Sequence, residues 1–482
     1  MIGSGIFTVI GTAIAGEKFD TSSIVNTPLL DYLIHHQALI GRPGAGPALA
    51  VSMMLVAVVC AFTALCYAEM ASMIPIAGSA YTYTYATMGE LVAWIIGWDL
   101  ILEYAVSNMA VCVGFAAHIV DLMDWFGIHP ALRWISPAFL PSGMQSFDGT
   151  AVYASGWHLG FNFPAFLIVM LITVVLVRGI RESAETNNVM VLLKIAAILI
   201  FIFAAASFVK PHNWHPYFPN GWSGMLTGGS IIFFTYIGFD SVSTAAEECR
   251  NPQRDVPIGI IATLVVCTIL YVGVAIVLTG LVPWNTLIDD AAPVVNTLKR
   301  LSLMPGGAHL HWVRLVILIG AMLGMISSIL VFQLGQARVW FSMSRDKLFP
   351  RWFGTVHPRF RTPSVATWVA GFVVGVPAGL LDIGTLADLS NIGTLFAFAL
   401  VSIGVLILRY REPNRRRGFR SPGGPIVPLL SLFFCGLLMA GLPIVTWVRF
   451  FVWLLLGLVI YHFYSRKRSD FAPGNPDDVT RG

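Results

Sequence analysis

The chain has 482 residues, of which 56% are hydrophobic and only 11% charged, and its mean hydropathy is +0.76. A soluble chain of this length would carry roughly a quarter of its residues charged, so the composition places this one in lipid and argues against a water-soluble enzyme. The net charge of +4 is modest, and the runs Arg415 to Arg417 and Arg466 to Arg468 suit anionic lipid better than nucleic acid.

Apolar runs long enough to cross roughly 30 Å of hydrocarbon recur along the whole length. They predict twelve spans, near 1–16, 46–74, 89–119, 162–178, 184–209, 224–247, 256–282, 312–340, 364–381, 386–408, 425–443 and 446–464. The first is too short to be complete, and no cleavable signal peptide is expected ahead of it. Together they make an all-α, polytopic membrane domain over 1–465, followed by a polar tail over 466–482. Long connections are expected at 120–161 and 283–311, and a basic loop at 341–363. If the even-numbered connections face the cytoplasm, most of the 29 lysines and arginines fall inside. The positive-inside rule then puts both termini in the cytoplasm.

The first span opens on Gly3-Ser4-Gly5-Ile6-Phe7. Glycines at alternate positions unwind a helix readily, and within a membrane such a break survives only where it lines a cavity or a ligand. A second break is expected in the sixth span, over Phe233-Phe234-Thr235-Tyr236-Ile237-Gly238-Phe239-Asp240. Two glycine-interrupted spans in corresponding positions point to an inverted repeat with its site between them, although Gly238 alone would also suit a helix-packing notch.

Between the breaks lie the charges that should be buried. Asp99 and Glu103 are four residues apart on the third span and so share a face. Near the midplane they need a proton or a partner, a relay or substrate contact being open for Glu103 and a structural hydrogen bond for Asp99. Lys194 sits within the fifth span, nine residues after Glu185 and sixteen before Lys210. That leaves it about 14 Å and 24 Å from the two ends, too deep to snorkel with ease. Its readings are a coupling residue or a static partner of Asp99, Glu103 or Asp240. Gln336 and Arg338 are expected to end the eighth span near a gate, and Asp240 to steady the second break. The six cysteines lack a CxxC pair, which argues against a metal site or disulfide framework. Of the eleven histidines only His118 falls within a span, and no GxSxG, HExxH, Walker or GxGxxG pattern stands in suitable context.

Several segments together resemble one family. They are Gly3-Ser4-Gly5-Ile6-Phe7, Cys66-Tyr67-Ala68-Glu69-Met70, Gly97-Trp98-Asp99-Leu100-Ile101-Leu102-Glu103-Tyr104, Ile237-Gly238-Phe239-Asp240, Glu247-Glu248 with Asn251-Pro252, and Gly335-Gln336-Ala337-Arg338 leading to Ser344-Arg345-Asp346. All look like the cationic amino acid transporter branch of the amino acid, polyamine and organocation permeases. The resemblance implies a leucine-transporter-type 5+5 inverted repeat with two extra helices. It also implies an amino acid held between the unwound centres of the first and sixth helices, with no cofactor and no enzymatic chemistry.

In that setting backbone N–H groups at Gly3, Ser4, Gly5 and Ile6 suit the substrate carboxylate. Carbonyls freed around Phe234, Tyr236, Ile237 and Gly238 suit its ammonium. Proton-coupled relatives carry a lysine on the fifth helix where sodium-coupled ones hold sodium, which gives Lys194 a coupling role reaching Ser327 or Ser328. Family members carry a cytoplasmic segment and half a helix ahead of the glycine motif, and this chain begins at the motif. The first helix is therefore expected to be incomplete, and the transport competence of this polypeptide stays open. The expected function is proton-coupled amino acid symport by alternating access in a bacterial inner membrane, with amino acid, proton and lipid as partners. An exchanger or polyamine antiporter, and a non-transporting sensor or accessory subunit, are the other readings. The particular amino acid and the oligomeric state stay open.

Overall fold

Lipid offers backbone N–H and C=O groups no partner, so apolar segments of this kind can only close their hydrogen bonds as helices. The computed structural model describes residues 2–18, 22–74, 79–136, 160–179, 184–240, 251–288, 290, 292–381, 383–415 and 417–466. Glu247, Glu248, Cys249, Arg250 and the tail from Lys467 lie outside them. In chain order the elements are α1 (Ile10–Ala15), β1 (Gly16–Lys18), α2 (Leu29–His35), β2 (Gly41–Pro43), α3 (Leu49–Met73), α4 (Ser79–Met88), α5 (Glu90–Trp125), α6 (Phe163–Arg178), α7 (Ala184–Ala205) and α8 (Gly221–Ile232). They continue with α9 (Pro252–Leu281), α10 (Pro293–Ser302), α11 (His309–Arg345), α12 (Ser364–Ala378), α13 (Ile383–Arg411), α14 (Ile426–Ala440) and α15 (Ile444–Ile460).

Each predicted span contains a helix. Among the described residues α3, α5, α7, α9, α11, α13 and α15 carry stretches long and apolar enough to cross a membrane, and α6, α12 and α14 are shorter apolar helices. The first and sixth spans hold only the short α1 and α8, because each is interrupted. Three features were not foreseen. These are the separate helix α4, the amphipathic α10 inside the connection 283–311, and an antiparallel hairpin pairing Gly16 with Pro43 and Lys18 with Gly41.

Burial sorts the helices into centre and rim. The most apolar window of α5 is 83% buried, whereas that of α15 is 17% buried and turns Val452, Phe451 and Leu455 outward to lipid. Helix α5 is flanked by α11 and α13, α3 packs along α9, and α6 along α12. Small residues permit the closest approaches. A Cβ at Gly320 of α11 would lie 2.4 Å from the Ala197 Cβ of α7, so only glycine allows that pairing. All the described cysteines are buried free thiols.

Buried ion pairs tie down both ends of α13. At one end Arg42, from β2, grips Asp388 with two N–H groups, the Nη2 to Oδ1 bond being 2.8 Å, and its Nη1 lies 3.7 Å from Glu17. Burial disfavours the Arg42 charge, but the fields of Asp388 and Glu17 outweigh it, so the guanidinium holds its proton more tightly than a free arginine. At the other end Glu69 of α3 accepts from Arg409 Nε at 3.0 Å, from the Ser421 backbone N–H at 2.9 Å and from the Ser421 hydroxyl at 2.8 Å. Arg417 Nε stands 3.3 Å from the same carboxylate. Removing one member strands a buried charge, so Glu69→Ala is expected to destabilise the protein by about 3–5 kcal/mol. Thermal unfolding in detergent against the parent measures this.

Candidate substrate site

Residues 3–9 form turns in place of a regular helix. The hydrogen-bond ladder begins with the N–H groups of Phe7 and Thr8, which both donate to the Ser4 carbonyl at 2.9 and 2.8 Å, followed by Val9 to Gly5 at 3.1 Å. The Thr8 hydroxyl adds a third bond to the Ser4 carbonyl at 2.7 Å. This turn start leaves the N–H groups of Ser4, Gly5 and Ile6 ahead of the ladder. The Ser4 Oγ is buried and has no hydrogen-bond partner among the described residues.

The second break has a different shape. Helix α8 stops at Ile232, a single tight turn runs from Phe233 to Tyr236, and Ile237 is extended at φ −62°, ψ 139°. Aromatic and β-branched residues lose rotamer freedom in a helix, so this run resists continuing one. Gly238 then takes φ 114°, a conformation that favours glycine. Its N–H donates to Asp240 Oδ1 at 3.2 Å, and Tyr104 of α5 donates to Asp240 Oδ2 at 3.4 Å. The Tyr236 hydroxyl is anchored on the Met53 carbonyl at 3.0 Å.

The two breaks touch. A Cβ at Gly5 would lie 2.6 Å from Thr235 Cγ2 and 2.8 Å from the Thr235 Cα, so the backbones meet there only because Gly5 has no side chain. Gly114 of α5 backs the first break, since a Cβ there would lie 2.9 Å from Thr8 Cγ2 and 3.3 Å from Ser4 Cβ. One turn on, His118 holds the Gly114 carbonyl through Nδ1 at 2.9 Å and meets Phe7 edge-on at 6.4 Å. Ile6, Phe234 and Ile237 are all buried around the junction.

Asp99 and Glu103 are fully buried on the α5 face that meets α13. A Cβ at Gly393 would lie 2.9 Å from Asp99 Oδ1 and 3.8 Å from Glu103 Cβ. Neither Asp99 oxygen has a hydrogen-bond partner among the described residues, and the acidic neighbours of Glu103 are Asp240 and Asp99. Above them Ser107 and Ser390 share a hydrogen bond of 2.5 Å, and Asn391 donates to the Ser230 carbonyl at 2.8 Å.

Lys194 is 6% exposed on α7 and donates to the Ser327 hydroxyl of α11. A Cβ at Gly324 would lie 3.7 Å from both the Lys194 Cγ and the Ile2 carbonyl oxygen, so lysine, first break and α11 converge at one point. Ser328 donates to the Gly324 carbonyl within its own helix at 3.1 Å. Gln336 needs correction. It does not end the eighth span with Arg338, because α11 runs on to Arg345. The amide of Gln336 is fully buried, and neither of its polar atoms has a partner among the described residues.

Sequence reasoning passed over Thr235, although it stands inside the quoted break, because nothing local marks it as the partner of Gly5. It also missed Arg42 with Asp388 and Glu69 with Arg409. Those partners lie 346 and 340 residues apart, and no spacing rule spans such distances.

The chain matches the amino acid permease family over residues 2–461. It is 47% identical over 429 residues to the branched-chain amino acid permease BcaP of Bacillus subtilis (strain 168), covering 89% of this chain and 88% of that one. It is 41% identical to the methylthioribose transporter of the same organism, over 97% of this chain and 91% of the relative. Cationic amino acid transporter 9, chloroplastic, of Arabidopsis thaliana is 31% identical over 88% of this chain and 83% of its own length.

Proposed function

The chain belongs to the amino acid permease family, and from that premise we propose that it carries a neutral, aliphatic amino acid across the membrane by proton-coupled alternating access. The observation that carries this reading is the contact of two helix breaks at Gly5 and Thr235. A zwitterion taken out of water needs donors for its carboxylate and acceptors for its ammonium. The N–H groups of Ser4, Gly5 and Ile6, at the start of a helical turn, supply the first. Carbonyls of the interrupted Phe234, Tyr236 and Ile237 supply the second. Buried Ile6, Phe234 and Ile237 favour an apolar substrate side chain, in keeping with the name of the 47% identical relative.

The ten spans carried by α1, α3, α5 to α9 and α11 to α13 then form a 5+5 inverted repeat, with α14 and α15 outside it, both termini cytoplasmic and the hairpin end outward. Lys194 takes and releases the coupled proton. Displacement of labelled leucine from the purified protein tests the substrate class. Leucine, isoleucine and valine are expected to compete at similar concentrations, with arginine and putrescine at least about tenfold weaker. The methylthioribose transporter relative supports a second reading, a neutral thiosugar. Displacement by methylthioribose and by no amino acid would replace the first reading with that one.

A further inference from the structure

At the end of the molecule away from the hairpin, where α5 begins, lies a pocket of about 450 Å³ whose walls include Trp94, Trp98, Leu348, Phe353, Val459 and Phe463. Its floor and its lip differ. Trp94, Leu348 and Phe353 are buried, whereas Val459 and Phe463 are 45% and 68% exposed and continue the outward face of α15 that carries Phe451, Val452 and Leu455. The pocket therefore opens sideways, onto the apolar surface that lipid covers. Its walls suit a hydrocarbon. Trp94 Nε1 donates to the Gly457 carbonyl and Trp98 Nε1 to the Trp453 carbonyl, each at 2.9 Å, so neither indole has a donor left for a ligand. The other lining side chains are aliphatic or aromatic, and among the described residues Tyr464 alone adds a hydroxyl.

The mouth is built differently. Helix α15 ends in a π turn over Tyr461–Ser465, a form common at functional positions. The Ser465 hydroxyl donates to the Leu348 carbonyl at 2.7 Å and the Tyr461 hydroxyl to Glu90 Oε1 at 2.9 Å, so the turn is fastened to both of the walls it faces. Arg466 follows the turn and Arg351 follows the wall residue Pro350, and both arginines are exposed. Trp94 and Trp98 stand about 6 and 12 Å along α5 from Glu90, which sets the apolar depth beneath that charged rim.

We propose that this pocket takes one acyl chain of an anionic phospholipid, whose phosphate lies at Arg351 and Arg466. The inference does not depend on which solute the protein carries. Lipid tails are as apolar as the pocket, so burying the chain selects no lipid over its neighbours. Selection comes from the headgroup, where guanidinium groups favour phosphate and a net negative charge. Glu90 stands at the same level and repels phosphate, so the attraction needs both arginines.

The test titrates the full-length protein in detergent with phosphatidylglycerol or phosphatidylcholine of the same chains and follows the first bound lipid by native mass spectrometry. The parent is expected to bind phosphatidylglycerol at least about fivefold more tightly. The double variant Arg351→Gln with Arg466→Gln changes only exposed positions, and is expected to bring phosphatidylglycerol down to the phosphatidylcholine level. Val459→Trp crowds the lip without touching either arginine, and is expected to weaken both lipids at least about fivefold. A chain shortened to end at Arg466 is expected to bind as the parent does. Equal binding of the two lipids by the parent, or a parent-like preference in the double variant, would overturn the site. Undiminished binding in Val459→Trp would do the same. Tighter binding by the shortened chain would make residues 467–482 the occupant, and a protein dimer that binds no lipid would make it a second copy; either result would overturn the lipid site.

Discussion

Gly5→Ala is expected to lower amino acid affinity by at least about thirtyfold, and Gly5→Leu to abolish binding, in proteins that stay folded and monodisperse. The added Cβ of Ala would overlap the Thr235 backbone at 2.8 Å, and Thr235 Cα cannot swing aside as the end of a long side chain could. The two breaks must then separate by a few tenths of an ångström or more. Hydrogen bonds to a charged group contribute about 1.5–3 kcal/mol each, so detaching one end of a zwitterion costs at least about thirtyfold in affinity. Leucine adds bulk and helix preference, both of which close the break. Gly238→Leu acts on the ammonium side for a different reason, since φ 114° is strained for any residue with a Cβ. Titration calorimetry with leucine, alongside size-exclusion profiles, checks all three. Parent-like affinity in folded Gly5→Ala would remove the contact of the breaks from the binding account.

Lys194→Ala is expected to abolish pH-driven accumulation while leaving substrate binding measurable. The lysine bridges α7 to Ser327 of α11, and it and the Ile2 carbonyl both flank Gly324, so its proposed role is at the first break and not at the junction of the two. Alanine supplies neither a charge nor ligands, and added sodium is not expected to rescue it. Proton flux followed with uptake at several pH values gives the result. An Ala variant that accumulates substrate with the parent's pH dependence would move the proton site to Glu103 or Asp240. Both are buried carboxylates.

The breaks were legible in the sequence because glycine carries its meaning locally. Gly3, Gly5 and Gly238 interrupt apolar runs, and an interrupted run within lipid has few physical outcomes. The twelve helical segments were legible because hydropathy alone sets them. Asp99, Glu103 and Lys194 could be recognised as buried charges from their depth in the spans. What could not be read was anything requiring two distant positions at once. Thr235 matters only because Gly5 lands on it, and Arg42 looked like one more loop arginine until the hairpin set it against Asp388. The end of the eighth span was misplaced because Arg338 reads as an interfacial charge, whereas α11 continues to Arg345. The hairpin itself is two short, three-residue strands with no alternating pattern to announce them.

Sodium-free accumulation of labelled leucine by proteoliposomes under an imposed pH gradient, acid on the hairpin side, tests transport between the two breaks most directly. Uptake above the equilibrium level that collapses with a protonophore and is absent in Gly5→Leu is the expected result. Uptake no greater than in protein-free vesicles, or accumulation that persists undiminished in Gly5→Leu, would contradict it.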